Sequence, residues 1–241
     1  MKQGSVVIVG AGSGTGAELA RVFAAAGFGV ALARRSVDAL APLVEEITAA
    51  GGRGLAVAVD AGDETAIARL FAAAEADLGP VEVAVFNAAG FTQGPVVDTT
   101  VQEFEKMWRS SSLGGFLTAR EAARRMLPRG TGTILFTGAT ASVKASANFA
   151  AFAAGKHGLR AVAQSLAKEL GPQGIHVAHV LVDGIIDVPR VHEMMPDAVA
   201  ALGEDGLLDP RSIAETCLWL HRQPRNAWTF ELDLRPCSER W

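Results

Sequence analysis

The first residues that could do chemistry form one short turn, Val9-Gly10-Ala11-Gly12-Ser13-Gly14-Thr15-Gly16. It follows the β-branched run Val6-Val7-Ile8-Val9 and leads into a stretch whose apolar residues share one helical face. A turn so poor in side chains lets the backbone approach a pyrophosphate, and the helix that follows aims its first N–H groups at it. Glycine clusters also make plain tight turns, but the strand before this one and the helix after it favour dinucleotide binding. The second apolar run ends Ala31-Leu32-Ala33-Arg34-Arg35. Arg34 stands where an NAD site would carry an acid for the ribose hydroxyls, and a guanidinium there suits a 2′-phosphate. A pair of arginines is also what a solvated strand end carries. With the glycine turn upstream, the pair points to NADP rather than NAD.

The elements that must hold these residues follow from hydrophobic period. Short β-branched runs, Val6–Val9, Val30–Ala33, Leu55–Val59, Val83–Phe86, Thr133–Phe136, His176–Val182 and a last one near Phe230–Leu234, alternate with longer helical stripes. Leu19, Val22, Phe23 and Ala26 share one helical face, as do Leu40, Leu43, Val44 and Ile47, and then Ile67, Leu70, Phe71 and Ala74. A longer stripe, Phe152, Leu159, Val162, Leu166 and Leu170, stops at Gly171-Pro172. Such alternation argues for βαβ units. Seven strands and six helical regions fit an α/β, doubly wound, Rossmann-type three-layer sandwich with a seven-stranded parallel sheet, in one domain over 1–241. The least regular region, Ile185 to Asp209, contains Pro189, Pro196 and the Met194-Met195 pair, and its place after the sixth strand suits a substrate lid.

The spacing of Gly10, Gly14 and Gly16 fits GxxxGxG, whereas GxGxxG fails because Thr15 takes its last position. In this the chain resembles the short-chain dehydrogenase/reductase family, and the resemblance covers essentially its whole length. It implies that Ser13, Gly14, Thr15 and Gly16 flank the cofactor phosphates with Gly10, and that Asp60 and Ala61 lie along the adenine. Asn87-Ala88-Ala89-Gly90 is similar to the family's NNAG motif with the second Asn replaced, which adds Asn87, Ala88 and Gly90 to the cofactor set. Phe152-Ala153-Ala154-Gly155-Lys156 stands where the family has YxxxK, and Asp183-Gly184 where it has PG, with Gly184 and Ile186 expected beside the nicotinamide.

In that family a Tyr gives a proton to the substrate oxygen, a Lys lowers the pKa of that Tyr, a Ser steadies the carbonyl and an Asn orders a water. Counting back four from Lys156 gives Phe152, a ring without the hydroxyl, and the chain contains no Tyr at all. The Ser position falls on Ala139, the Asn position on Ser111, and Val188 replaces a Thr expected near the nicotinamide amide. Phe152 and Ala139 are thereby assigned to the substrate pocket. Four residues are candidates to replace the lost groups. Lys156 either gives the proton itself, if desolvation lowers its pKa, or holds the ribose of the nicotinamide. Thr140 and Ser142 offer hydroxyls from a loop, or simply cap backbone there. Asp183 is a general base or a turn residue. His157 points about 100° away from Lys156 on a helix and is assigned no role in the chemistry, and Lys144 reads as a solvated loop residue.

Apolar residues make up 49% of the 241, charged ones 20%, and the net charge is −4. That balance describes a soluble globular domain without the broad basic surface that nucleic acid requires. Cys217 and Cys237 form no CxxC pair and have no His at metal-ligand spacing, so no metal is expected, only a buried thiol and a tail thiol. The chain goes from Lys2 straight into Ser5-Val6-Val7-Ile8-Val9 without a secretory signal, and no apolar run approaches bilayer length. A cytoplasmic protein with no membrane partner is expected. The resemblance implies a homodimer or homotetramer built on the helices around Glu103–Met126 and Phe149–Leu170, with Glu231–Trp241 at a second interface. Two functions follow. One is an NADP(H)-dependent oxidoreductase with an altered acid/base set, acting on a small apolar carbonyl, alcohol or activated alkene. The other is a non-catalytic NADP(H)-binding protein, a sensor or inactive oligomer partner.

Overall fold

A computed structural model describes residues 4–239; Lys2 and Trp241 lie outside the described residues. Seven strands, β1 (Ser5–Val9), β2 (Gly29–Arg34), β3 (Arg53–Ala58), β4 (Val81–Phe86), β5 (Gly132–Thr137), β6 (Ile175–Val182) and β7 (Glu231–Leu234), make one sheet in the order β3-β2-β1-β4-β5-β6-β7. Every neighbouring pair is parallel, so each connection crosses a face of the sheet and both faces become covered. The chain reverses direction of travel between β1 and β4. A crevice therefore opens beyond the C-terminal ends of these two strands, where doubly wound sheets bind their ligands.

The burial of each strand explains its sequence. β1 is central, all five of its residues are buried, and its apolar run is continuous rather than alternating. β3 is an edge strand, and none of its residues is fully buried. Nine α-helices occur among the described residues: α1 (Thr15–Ala25), α2 (Ala41–Ala49), α3 (Glu64–Leu78), α4 (Val101–Trp108), α5 (Gly114–Met126), α6 (Ala150–Leu170), α7 (Pro189–Met194), α8 (Pro196–Leu202) and α9 (Pro210–His221). On one face Leu19 and Phe23 of α1 and Ile213 and Leu220 of α9 share a core with Ile8 and Leu32. On the other, Leu70 and Phe71 of α3 and Leu159 of α6 pack with Val7, Phe86 and Phe136.

Local signals set the helix starts. Asp63 caps α3 by accepting from the N–H groups of Thr65 and Ala66, and Thr100 and Glu103 close a capping box on α4. By contrast, α1 starts at Gly14 without a side-chain cap. The rod α4–α5 runs through a π-helical turn at Arg109–Leu113, a feature that often marks functional positions. The 185–209 segment is more regular than its prolines imply. Pro189 and Pro196 occupy the first positions of α7 and α8, where a missing N–H is harmless, so they start helices instead of breaking them. Its two ends are tied together by Leu208 N–H to the Ile185 carbonyl and Asp187 N–H to the Leu208 carbonyl, both 2.8 Å.

Candidate active site

The glycine turn crowds its surroundings at two points. Gly10 has φ +96°, and a Cβ there would lie 2.4 Å from the Ala88 nitrogen; a Cβ at Gly16 would lie 2.5 Å from the Gly10 oxygen. Only glycine lets β1, the α1 start and the loop after β4 approach so closely. The turn is pinned at 2.9 Å by Gly10 N–H to the Ala33 carbonyl and by Asn87 Nδ2 to the Gly10 carbonyl. Asn87 Oδ1 in turn accepts from Thr137 Oγ1 at 3.0 Å, which joins the ends of β1, β4 and β5. Beside this knot lies a crevice of about 720 Å³, lined by Gly10, Gly12, Arg34, Arg35, Asp60, Ala61, Asn87, Ala88 and Gly90. Ser13, Gly14, Thr15 and Gly16 stand at the adjoining start of α1. Much of the cofactor set expected from sequence thus shares one wall or its rim.

A second pocket, of about 860 Å³, takes its apolar wall from Phe91, Phe149 and Phe152, whose ring centroids are 5.4 to 6.5 Å apart. Ala139, Thr140, Asp183 and Gly184 line it too. One turn after Phe152, Lys156 is only 4% exposed, and its Nζ donates to the Thr137 carbonyl at 3.1 Å. Burial without a carboxylate partner penalises the ammonium and lowers its pKa to about 8. Thr140 Oγ1 donates to Asp183 Oδ1, and Arg235 Nη1 lies 3.3 Å from the other Asp183 oxygen. Ser142 turns inward: its hydroxyl, fully buried, accepts the Ala139 N–H at 3.1 Å. Ser111 is buried on the π turn against Gly155, and Val188 lies against Gly14. Ile186 sits at the base of the 185–209 segment, bridged to Leu208. His157 is exposed beside the Ala153 carbonyl, and Lys144 is exposed on the rim of the pocket.

Sequence reasoning missed a charged array behind this pocket. Arg160 donates through Nε and Nη2 to both oxygens of Glu231, at 2.6 and 2.7 Å, and Glu231 accepts from His179 Nδ1 at 2.9 Å. His179 is fully buried, and desolvation pushes its pKa down to about 4 despite the carboxylate. The ring is therefore neutral near pH 7 with its proton on Nδ1. Alternation along β6 predicts which face His179 takes, but nothing local announces a partner on β7. Cys217 is buried, with its thiol pushed up to about 12 by desolvation, and Cys237 is exposed. Among the described residues no cluster of His, Cys, Asp and Glu is set to hold a metal, and no helix is long and apolar enough to cross a membrane.

Residues 4–198 match the family model described as short chain dehydrogenase, a stretch that includes the glycine turn, Asn87, Lys156 and Asp183. The chain belongs to the short-chain dehydrogenase family. Members are oxidoreductases that bind NAD(P) and act on small molecules. Among its relatives is the short-chain dehydrogenase/reductase eriH of Hericium erinaceus, 33% identical over 192 residues that span 78% of this chain and 76% of that protein. A short-chain dehydrogenase from Rhodopseudomonas palustris superposes with a TM-score of 0.83 at 44% identity, covering 96% of this chain and 98% of the other. A point variant of the actinorhodin polyketide ketoreductase, solved with NADPH, gives 0.88 at 25% identity over 98% and 97% of the two chains. The residues present fit the family's dinucleotide. Gly12 faces open space, side chains at Gly10 or Gly16 would strike backbone and force the turn apart, and α1 begins with no side chain on its first N–H groups.

Proposed function

We propose that this short-chain dehydrogenase is an NADP(H)-dependent oxidoreductase with a rebuilt acid/base set, acting on a small, largely apolar carbonyl, alcohol or activated alkene. The observation that carries the reading is Lys156, a nearly buried amine with a pKa near 8, one helical turn from the ring of Phe152 that lines the pocket. Bound nicotinamide supplies or accepts hydride. Every other requirement falls to the chain. Gly10 and the start of α1 hold the phosphates, and Arg34 and Arg35 supply the positive charge that a 2′-phosphate needs.

At the reacting end Lys156 Nζ holds the proton that a reduced carbonyl oxygen takes up, and it regains one from water. A pKa near the working pH is what general acid catalysis favours. The Thr137 carbonyl aims the amine. Phe91, Phe149 and Phe152 bury an apolar substrate body and exclude water. Thr140 has its own proton committed to Asp183, so it turns lone pairs to the pocket and suits a substrate hydroxyl better than a carbonyl oxygen. Asp183, between Thr140 and Arg235, is the acceptor that orients that hydroxyl. Ser142 supports the Ala139 backbone from within.

The second reading, a non-catalytic NADP(H) binder, draws on those same commitments: the Ser142 oxygen and the Thr140 proton are both engaged elsewhere, and Ala139 has no hydroxyl. Product analysis separates the two. NADPH is incubated with the protein and a panel of ketones, aldehydes and enones. A reduced product formed by native protein and lost in Lys156→Ala supports the oxidoreductase; tight NADPH binding with no product from any member supports the binder.

A further inference from the structure

We propose that Arg190, the second residue of α7, grips the 2′-phosphate of bound NADP(H) together with Arg34 and Arg35 and so fastens the 185–209 segment over the cofactor. The inference rests on the NADP(H) reading above. Its first support is position. Arg190 is far from Arg34 and Arg35 in sequence, yet it lines the same crevice as these two, Ser36 and Asp60. Five cationic side chains line that crevice, Arg34, Arg35, Lys106, Arg109 and Arg190, against two carboxylates, Asp60 and Glu105. An excess of positive charge in a concave site concentrates anions there. Asp60 and Arg109 are already occupied with local backbone, since Asp60 accepts from Gly62 N–H and Arg109 donates to the Gly62 carbonyl. Arg190 is exposed, and among the described residues it pairs with no carboxylate; its Nε rests 3.2 Å from the sulfur of Met194, a weak acceptor.

The second support is the path of the segment. Two residues before Arg190, Val188 packs on the glycine turn so closely that a Cβ at Gly14 would lie 2.5 Å from Val188 Cγ1. Pro189 fixes the next backbone angle and starts α7. The base of the segment is held by the Ile186–Leu208 bridge. The chain thus leaves that base, crosses the glycine turn at Val188 and places Arg190 on the lining of the crevice that also holds Arg34 and Arg35. A phosphate held there would tie the segment to β2, whereas the diphosphate of NAD(H) alone would not.

The test is calorimetric titration of wild type, Arg190→Ala and Arg190→Lys with NADPH and with NADH, beside hydrogen exchange of residues 185–209. Loss of a charge-assisted bond to phosphate predicts that Arg190→Ala binds NADPH about 10-fold or more weakly and NADH unchanged. NADPH should protect 185–209 from exchange in wild type, not in Arg190→Ala, and partly in Arg190→Lys. Arg190 is exposed, so an unchanged melting temperature is expected of both variants. If wild type prefers NADPH and Arg190→Ala keeps both that preference and the protection, the role of Arg190 is overturned and the NADP(H) reading stands. Equal weakening toward both cofactors also overturns it, by placing Arg190 on the shared pyrophosphate. If wild type binds NADPH no tighter than NADH, the NADP(H) reading itself falls and the inference falls with it.

Discussion

Burial sets the protonation of Lys156. Its folded pKa of about 8 lies below the ordinary lysine value of 10.5, because burial disfavours the ammonium. Between those two values the unfolded chain binds a proton that the native protein does not, so stability rises with pH across that window. Below it both states are protonated and the full penalty stands. Lys156→Met keeps the bulk without the charge, and it should stabilise the fold at pH 7 by about 1–3 kcal/mol in denaturant titrations while abolishing turnover. Reduction should fall as pH rises through about 8, where Nζ loses the proton it would donate; a rate flat from pH 6 to 10 would remove Lys156 as donor. Gly10, Gly14, Gly16, Arg34 and Lys156 were legible in sequence because their meaning depends on spacing to a neighbouring strand or helix. The Arg160–Glu231–His179 array was not, since His179 and Glu231 meet only through the pairing of β6 with β7 and Arg160 reaches them from α6.

At the level of elements, Gly138 in the loop after β5 and Gly12 in the turn after β1 have opposite surroundings. A Cβ at Gly138 would fall 2.3 Å from His179 Nε2 on β6, a buried ring held by Glu231. Gly138→Ala should therefore cost about 1–3 kcal/mol of stability through overpacking, read as a lowered denaturant midpoint. A Cβ at Gly12 meets nothing within 4 Å. Gly12→Ala should leave the midpoint unchanged and weaken NADPH binding, because the methyl would project where the dinucleotide runs. The strands were readable because β-branched runs in a parallel sheet are continuous and short. The prolines of 185–209 misled, since a proline that starts a helix and one that ends a helix look alike until the flanking backbone is known.

For the whole molecule, the sheet order follows from right-handed crossovers and short connections, and the alternation of runs was enough to anticipate the architecture. The pocket lined by the three phenylalanines was not legible as a whole. Phe149 and Phe152 are neighbours at the start of α6, but Phe91 comes from the loop after β4 and joins them only once the chain has folded. Phe104, Trp108 and Phe116 are half exposed along the α4–α5 rod, and exposed large apolar side chains grouped on one element suit an interface. We propose that this strip is covered in a homodimer or homotetramer. Trp108→Glu should shift the mass measured by light scattering toward that of one chain; a native protein that already scatters as a monomer would count against the interface.

The claim on which the rest depends is that this site transfers hydride without a tyrosine. The most direct measurement follows NADPH absorbance over a single turnover with the ketone, aldehyde and enone panel, for the native protein beside Phe152→Tyr. Slow but substrate-dependent NADPH oxidation is expected of the native protein, with an acceleration of about 10²-fold or more for carbonyl substrates when a hydroxyl is supplied by Phe152→Tyr. NADPH oxidation by Phe152→Tyr alone, with none by the native protein toward any substrate, would contradict it and leave a cofactor binder in an enzyme's fold.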